Sequence, residues 1–559
     1  MATYPSPILQ DVTVEGALTG PGVDAVVAPL LTSAAAASTY ETQINAASTY
    51  TAQTDLASTA TGKGSKLVAW ILRATGAAAR WVEDKLAENV SVLDYGLDPT
   101  GATDGTPSIL AAATALGALG GTINIPNGVK CLIDTNLTLP PSVQLEGPYH
   151  FVGSPGNNTA APYGSMGGCL IINSAATITL GSGAGINGCL IYRKGMTFPA
   201  PDPSGFAGTA ITFSGDDAFV VNSMVLGFNK GIYSVGPQRP KVMSVLMDNV
   251  NCIEIGNCGD VSHVSDCHAW PFSTISISGG ANSVYTRTGV AYNFHDINDW
   301  GKVTNCFSWG YLNGFVVNNV NDMTLLSCSI DGNGALYSGT KGFVIEGTSD
   351  RTKLIGCQVS SQTDYGFQVN TGASTQTVVT GCTSLSATQA YGIDGGDCTI
   401  TSSVALGSTH GVYVTNASSV VVVDGCRFQT IANNPIVSSV ATNNLFIGLN
   451  HYGDFTGQVD GTLNTAPSIS SASFTYIPNN GDTFIITGTT NFGNLDYGWN
   501  GRIVTLIFTG VLTVISSTGS GIHLSGGTNL TTAANFTRTN SYKSVIGNRP
   551  IYQAVTEVW

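Results

Sequence analysis

The sequence predicts an all-β protein whose centre is a parallel β-solenoid, and three observations carry that expectation. The first is composition: only 10% of the 559 residues are charged and 68 are Gly. With abundant Ser, Thr, Asn, Val and Ile, this describes many short strands joined by tight turns. The second is a recurrent cysteine. Cys267, Cys306, Cys328, Cys357, Cys382 and Cys426 each follow an apolar residue by three places, and Asp, Asn, Ser or Gly stands immediately before each. The third is an alternating strand motif, Gly-apolar-x-apolar. Its glycines, Gly314, Gly342, Gly366, Gly392 and Gly411, recur at intervals of 28, 24, 26 and 19 residues. A period of 20–30 residues built only from strands indicates stacked coils, in which equivalent side chains form ladders.

One unit then reads as a Gly strand, an Asx turn, a short strand, a left-handed turn, a Cys strand and a loop of variable length. Asp260, Asp299, Asn321 and Asp350, seven places before four of the cysteines, suit the Asx turn. Asp266, Asn305, Ser327, Gly356, Gly381 and Gly425 precede the cysteines and are mostly types that accept a left-handed backbone. Ser223 and Val404 are read as the positions where the cysteine has been replaced. The cysteines themselves lack C-x-x-C pairs, so they are expected to be buried, reduced packing residues, with no metal or cofactor implied.

Composition also narrows the function. A net charge of −14 without a basic run argues against nucleic acid as a partner. No apolar run approaches the 18 residues of a membrane span. The first thirty residues contain no Lys or Arg, so no secretory signal is expected.

Along the chain, residues 1–64 are rich in Ala, Ser and Thr, with a near repeat of "AASTYETQ" and "AASTYTAQ", and suit an attachment segment. Residues 65–89 place Leu67, Trp70, Ile71, Ala74, Ala78, Trp81, Val82 and Leu86 at helical spacing, which predicts an amphipathic neck helix. Residues 90–454 hold the solenoid, opening with a strand, a Gly/Pro/Asp turn, a helix over about 107–117 and a strand ending at Pro126. That helix covers the first coil, whose open edge would otherwise recruit another strand. Residues 455–559 alternate apolar and polar residues between Gly/Asn turns, which predicts a small antiparallel β-domain.

The opening of the solenoid resembles that of pectate-lyase-like right-handed β-helices, notably those of bacteriophage tailspikes. Val92, Asp94, Tyr95, Gly96, Asp104, Gly120, Gly121, Pro126 and Gly128 carry the resemblance, around the Ala-rich helix. Asp98-Pro99 in place of a Gly-Asp pair, and Pro107 opening the helix, depart from it. The resemblance implies a homotrimer on a phage tail, made in the host cytoplasm and acting outside the cell. Its N-terminal segment would join other tail proteins, its C-terminal domain would serve trimerisation or glycan binding, and its ligand would be a bacterial surface polysaccharide, capsule or O-antigen. The superfamily hosts hydrolases, lyases and binders alike, so chemistry has to come from the site.

In the Gly strand the x position faces outward, giving a column Tyr233, Glu254, Asn293, Val316, Val344, Gln368, Asp394 and Tyr413. In pectate-lyase-like helices this face resembles the substrate groove. Two coils carry insertions, one around residues 271–291 and one around 332–340, both expected beside this column. Glu254 needs no turn to explain it and is the first catalytic candidate, with a carboxyl raised by its surroundings to act as an acid. Asp331 is its expected partner and Asp248 the second choice. Tyr233, Asn293, Trp270, Trp309, Tyr311 and Arg287 are the expected sugar contacts. Paired carboxylates suit glycoside hydrolysis. A lyase needs a base and a cation for the uronate, and few cations stand near this column in sequence. A non-catalytic adhesin is the alternative of a different class.

Overall fold

Three long ladders of parallel strands run from Asn89 to Gly453, two of 14 strands and one of 12. Sheet 1 starts at Asn89–Ser91 and ends at Leu445–Ile447; sheet 2 runs from Thr100–Asp104 to His451–Gly453; sheet 3 runs from Leu137–Leu139 to Ile436–Ser438. A typical coil visits them in turn: Lys241–Met243, Leu246–Asp248, Asn251–Gly256, then His263–Ser265 back in sheet 1. The protein is a right-handed parallel β-helix, the hand that parallel crossovers take. The structure, a computed structural model, describes most of residues 53–148 and 168–453, excluding 275–285 and 333–339, and separate strands within 468–543. The attachment segment and both loop insertions expected from the sequence lie largely outside the described residues.

The left-handed turns form as the sequence predicts. Asp266, Asn305 and Ser327 have φ of 55, 53 and 53°, and Gly356, Gly381 and Gly425 have 61, 63 and 64°. Each turns the chain from sheet 1 to sheet 2 and drops the next residue, the cysteine, into the core. Every one of the six thiols lies 3.2–3.6 Å from the carbonyl two residues earlier. Each also faces a carbonyl of the preceding coil at 3.4–3.9 Å. The column continues through serines: Ser223 and Ser403 donate to Val221 and Thr401 carbonyls at 2.8 Å. The sequence assigned the second replacement to Val404; Ser403 holds the place, and Val404 begins the next strand. All 12 cysteines are free and buried, and burial raises thiols such as Cys252, which is pushed up to about 12. The ladder is a packing and turn-capping device.

Beside it, Tyr292, Phe315, Phe343, Phe367 and Tyr391 stack along sheet 3 with centroids 4.4–5.1 Å apart and ring planes within 12°. The tyrosines at its two ends place their hydroxyls 2.9 Å from the Cys267 and Cys382 carbonyls, so neither buried hydroxyl is orphaned. The cap helix spans Thr106–Leu116 and buries Ile109, Ala112 and Ala113 over the first coil. Asp98 replaces the missing Gly-Asp turn by accepting from the Thr100, Ala102 and Thr103 amides.

Two expectations are corrected. The described part of residues 65–88 is not a single helix: Ala69–Trp70 pairs antiparallel with Arg80–Trp81, and among the described residues only Val82–Leu86 is helical. Gly76, at φ 82°, supplies the left-handed residue that a reversal uses and a helix avoids. After residue 455, most described pairs are parallel, Ser468–Ser470 with Thr483–Thr487 and Thr483–Thr487 with Ile503–Phe508. Antiparallel pairing there is confined to Asn540–Lys543 on Ile503–Phe508 and to a two-residue pair, Thr513–Val514 with Leu530–Thr531. Alternation of apolar and polar residues fixes which face is buried and does not distinguish strand direction.

Replacing Cys357 by Ala removes one sulfur from a closed core and lowers stability by roughly 1 kcal/mol. Cys357→Ser costs less, because the hydroxyl can donate to the Ile355 carbonyl as Ser403 does to Thr401. Urea unfolding of the three proteins measures the order. Reductant leaves the midpoint unchanged.

Candidate functional site

The outward face of sheet 3 carries three side-chain columns in register. The middle one is Tyr233, Glu254, Asn293, Val316, Val344 and Gln368, rung for rung as the sequence gives it. The next position is Gly392, which pairs with Gln368; Asp394 lies two residues further along and is skipped where the register shifts between Val369 and Asn370. It accepts hydrogen bonds from Gln368 at 2.5 Å and Thr415 at 2.7 Å. A flanking column runs Gly256, His295, Asn318, Glu346, and the opposite one Val290, Asn313, Lys341, Tyr365. Between them lies a polar groove of about 500 Å³ lined by Glu254, Asn293, His295, Asn313, Lys341 and Glu346, among others.

Glu254 sits at one end and is fully engaged. Its Oε2 is 2.8 Å from Lys230 Nζ, and its Oε1 is 3.3 Å from His295 Nε2. The other ring nitrogen of His295 faces Asp296 Oδ2 at 2.8 Å. Lys230 also lies over the Tyr233 ring at 4.1 Å. His295 reaches this position by lying across Gly256 on the preceding rung. A Cβ there would stand 2.5 Å from His295 Cε1, so the close approach needs Gly.

The electrostatics reverse one expectation. Burial pushes the Glu254 carboxyl up, but hydrogen bonds from His295 and Lys230 and their charges outweigh it, leaving the carboxyl below its ordinary value. Glu254 is therefore an anion and not the raised-pKa acid that the sequence suggested. His295 moves the other way: its bond to Glu254 raises it, burial opposes, and Asp296 adds to the rise. The same contact thus favours an anionic carboxylate and a cationic imidazole.

The expected partners lie elsewhere. Asp331 is in sheet 2, between Trp309 and Ser360, and does not share the sheet of Glu254. Burial raises its carboxyl, with a bond to Ser360 opposing. Trp309 and Asp331, each three residues after its cysteine, are direct neighbours in sheet 2. Asp248 and Arg287 are each 0% exposed and ion-paired at 2.7 Å. Asp248 accepts from the Ser273 amide at 2.7 Å, and Arg287 donates to Thr274 Oγ1 at 2.8 Å. The pair pins the start of the inserted loop to the strand Arg287–His295, out of reach of a polymer. Tyr311 is buried with its hydroxyl 2.9 Å from Cys252 Sγ. Trp309 is 8% exposed and packs 6.0 Å from Trp270, which in turn meets Phe272 at 5.1 Å. Asp248, Arg287, Tyr311 and Trp309 are thus buried away from the groove, whereas Tyr233, Glu254 and Asn293 lie on the outward face of sheet 3.

Lys230, His295, Asp296, Lys341 and Glu346 are not among the residues that the sequence singles out. The column two residues further along the same strands would have found His295 and Glu346, since period 2 keeps them on one face. The cations Lys230, His295 and Lys341 also remove the shortage of positive charge on which hydrolysis was preferred to lysis.

No protein-family model matches the chain, and no curated protein matches its sequence. Solved structures similar to it include the tailspike protein of E. coli bacteriophage HK620 in complex with a pentasaccharide. That match has 12% identity and a TM-score of 0.43, covering 86% of this chain and 88% of that one. The tailspike gp49 of Acinetobacter baumannii bacteriophage Fri1, a capsular polysaccharide depolymerase, matches at 14% identity and TM-score 0.38, over 68% of this chain and 66% of that one. The catalytic unit of a GH87 α-1,3-glucanase from Streptomyces thermodiastaticus matches at 14% and 0.42, over 66% and 69%. The fold assignment rests on the three ladders themselves.

Two outcomes follow from this geometry. Asp248→Asn leaves Arg287 buried without its counter-charge and lowers stability by about 3–5 kcal/mol, read by denaturant unfolding. Glu254→Gln removes the first cause of the raised His295 value, so its NMR titration midpoint falls. Coupling between the two groups also shapes stability. The His295 contribution is present below its unfolded pKa, near 6.5, and lost as pH rises through the higher folded value. The Glu254 contribution is present above its unfolded value and lost as pH falls through the lower folded one.

Proposed function

We propose that this protein is a tailspike-type depolymerase, which grips a bacterial surface polysaccharide in the sheet 3 groove and cleaves it by glycoside hydrolysis. The observation that supports this most directly is the groove. Amides, carboxylates, an imidazole and an ammonium repeat along an open channel at the strand spacing, the arrangement that a hydroxyl-rich polymer engages over several units. Within it Glu254 has the role of base or nucleophile, being held ionised. His295, kept cationic between two carboxylates, supplies the proton for the leaving oxygen. The protein acts as a homotrimer on the phage tail, joined to other tail proteins through residues 1–64. One repeated interface then satisfies every subunit of a closed ring.

β-Elimination beside a uronic acid is the second reading, favoured by Lys230, His295 and Lys341 on the same face. Release of reducing ends without a rise in ultraviolet absorbance identifies hydrolysis; a rise from unsaturated uronate identifies lysis. Neither signal, with binding retained, identifies an adhesin.

Glu254→Gln preserves glycan binding and lowers cleavage by roughly a hundredfold or more, the scale of a lost acid–base group. Cleavage by the parent follows a bell-shaped pH profile. The acid limb falls as Glu254 protonates and the alkaline limb as His295 loses its proton, and His295→Ala removes the alkaline limb. Near-parental cleavage by Glu254→Gln would move the chemistry away from this end of the groove.

A further inference from the structure

We infer that the groove takes an acidic glycan and that Lys341 is the residue that reads its negative substituent. The inference rests on the saccharide reading above and deepens it.

Charge pairing along the groove singles out this residue. Lys230 is committed to Glu254 at 2.8 Å, and His295 to Glu254 and Asp296. Glu346 accepts from Asn318 at 3.1 Å. Lys341 lines the same groove, between Asn313 and Tyr365 in register. Among the described residues it forms no ion pair, and its recorded partner is the Tyr365 ring, with Nζ 5.5 Å from the centroid. Asp364, beside Tyr365, feels the Lys341 charge through space but forms no ion pair with it. Burial raises its carboxyl, with Lys341 only opposing that rise.

The platform under the ammonium is fixed. The Tyr365 ring lies across Gly392, where a Cβ would stand 2.2 Å from its Cε1, and so occupies the place that a side chain at that rung would fill. An aromatic face orients an ammonium while leaving its three donors free. A neutral polymer settling over this lysine strips water from a charge and returns only uncharged hydroxyl acceptors. An anionic substituent replaces that water with a charge-assisted hydrogen bond. Because an ammonium is a point charge, a uronate carboxylate and a sugar-linked phosphate satisfy it alike. The shared chemistry is negative charge on the sugar, three rungs or ~14 Å along the axis from Glu254.

The test uses the full-length protein and purified polysaccharides: uronate-bearing capsules, phosphate-bearing capsules and neutral O-antigens. Each acidic one is assayed before and after its charge is removed, by carbodiimide–borohydride reduction of carboxyl groups or by hydrofluoric-acid dephosphorylation. We expect binding to at least one acidic polymer, weakened roughly tenfold or more when its charge is removed, the scale of a hydrogen bond to a charged group. Lys341→Met should show the same loss on the native polymer and little further loss on the stripped one. Lys341→Arg should keep most of the affinity, and unchanged thermal unfolding of both variants shows that the fold is intact. Carboxyl reduction and dephosphorylation identify which anion is read. Tight binding to a neutral polymer, equal in the parent and Lys341→Met, would overturn this inference and leave the saccharide reading standing. Absence of binding to every polysaccharide overturns both.

Discussion

Each coil hydrogen-bonds to the next along three parallel ladders, and the strand spacing of about 4.8 Å governs everything that can be placed inside or outside them. Inside, a residue type that stacks well on itself is rewarded at every rung. The aromatic column along sheet 3 keeps 4.4–5.1 Å between rings, close to that spacing, so flat rings fit without tilting the strands. The thiol column meets a different demand. At the corner between sheets 1 and 2 the left-handed residue leaves carbonyls facing inward, and a small polarizable donor satisfies them without crowding. Serine does the same at Ser223 and Ser403, which identifies the requirement as a small donor and not as sulfur chemistry.

Outside, the same spacing converts a repeated strand into a repeated binding surface, and the surface acquires character where the repeat is broken. Gly256 gives up a side chain so that His295 can lie across the face beside Glu254; Gly392 does so for Tyr365. Asp394, skipped where the register shifts after Val369, bonds to Gln368 and Thr415. In a chain with so few charges, three arginines are matched to carboxylates of their own or neighbouring coils. Arg239 bridges Asp217 and Asp260, Arg351 bridges Asp322 and Asp350, and Arg287 is sealed against Asp248. Such pairs hold turns and loops to neighbouring coils, where loss of one partner strands the other charge.

Much of this was legible in the residue order. The period, the left-handed positions, the inward cysteine and the outward column from Tyr233 to Gln368 are properties of a repeating strand, and period 2 assigns each residue to a face. The cap helix followed from its apolar spacing and its glycine stop, and the structure places it at Thr106–Leu116. The hairpin in place of a neck helix was less legible, because a short apolar pattern with central glycine fits either.

What the tertiary structure alone decided is which sheet a coil position belongs to and what covers it. Trp309 and Asp331 stand at the same spacing from their cysteines, and their column belongs to sheet 2, whereas Glu254 belongs to sheet 3. Arg287 and Tyr311 have types common in sugar sites, but a loop return and a coil corner bury them against Asp248 and Cys252. The sign of the Glu254 shift depended on Lys230, one coil earlier, and His295, one coil later. Local sequence determines the ladder a residue can join, because that depends on strand phase. It does not determine the charge beside it, because that neighbour comes from another coil, 24 residues before Glu254 in one case and 41 after it in the other.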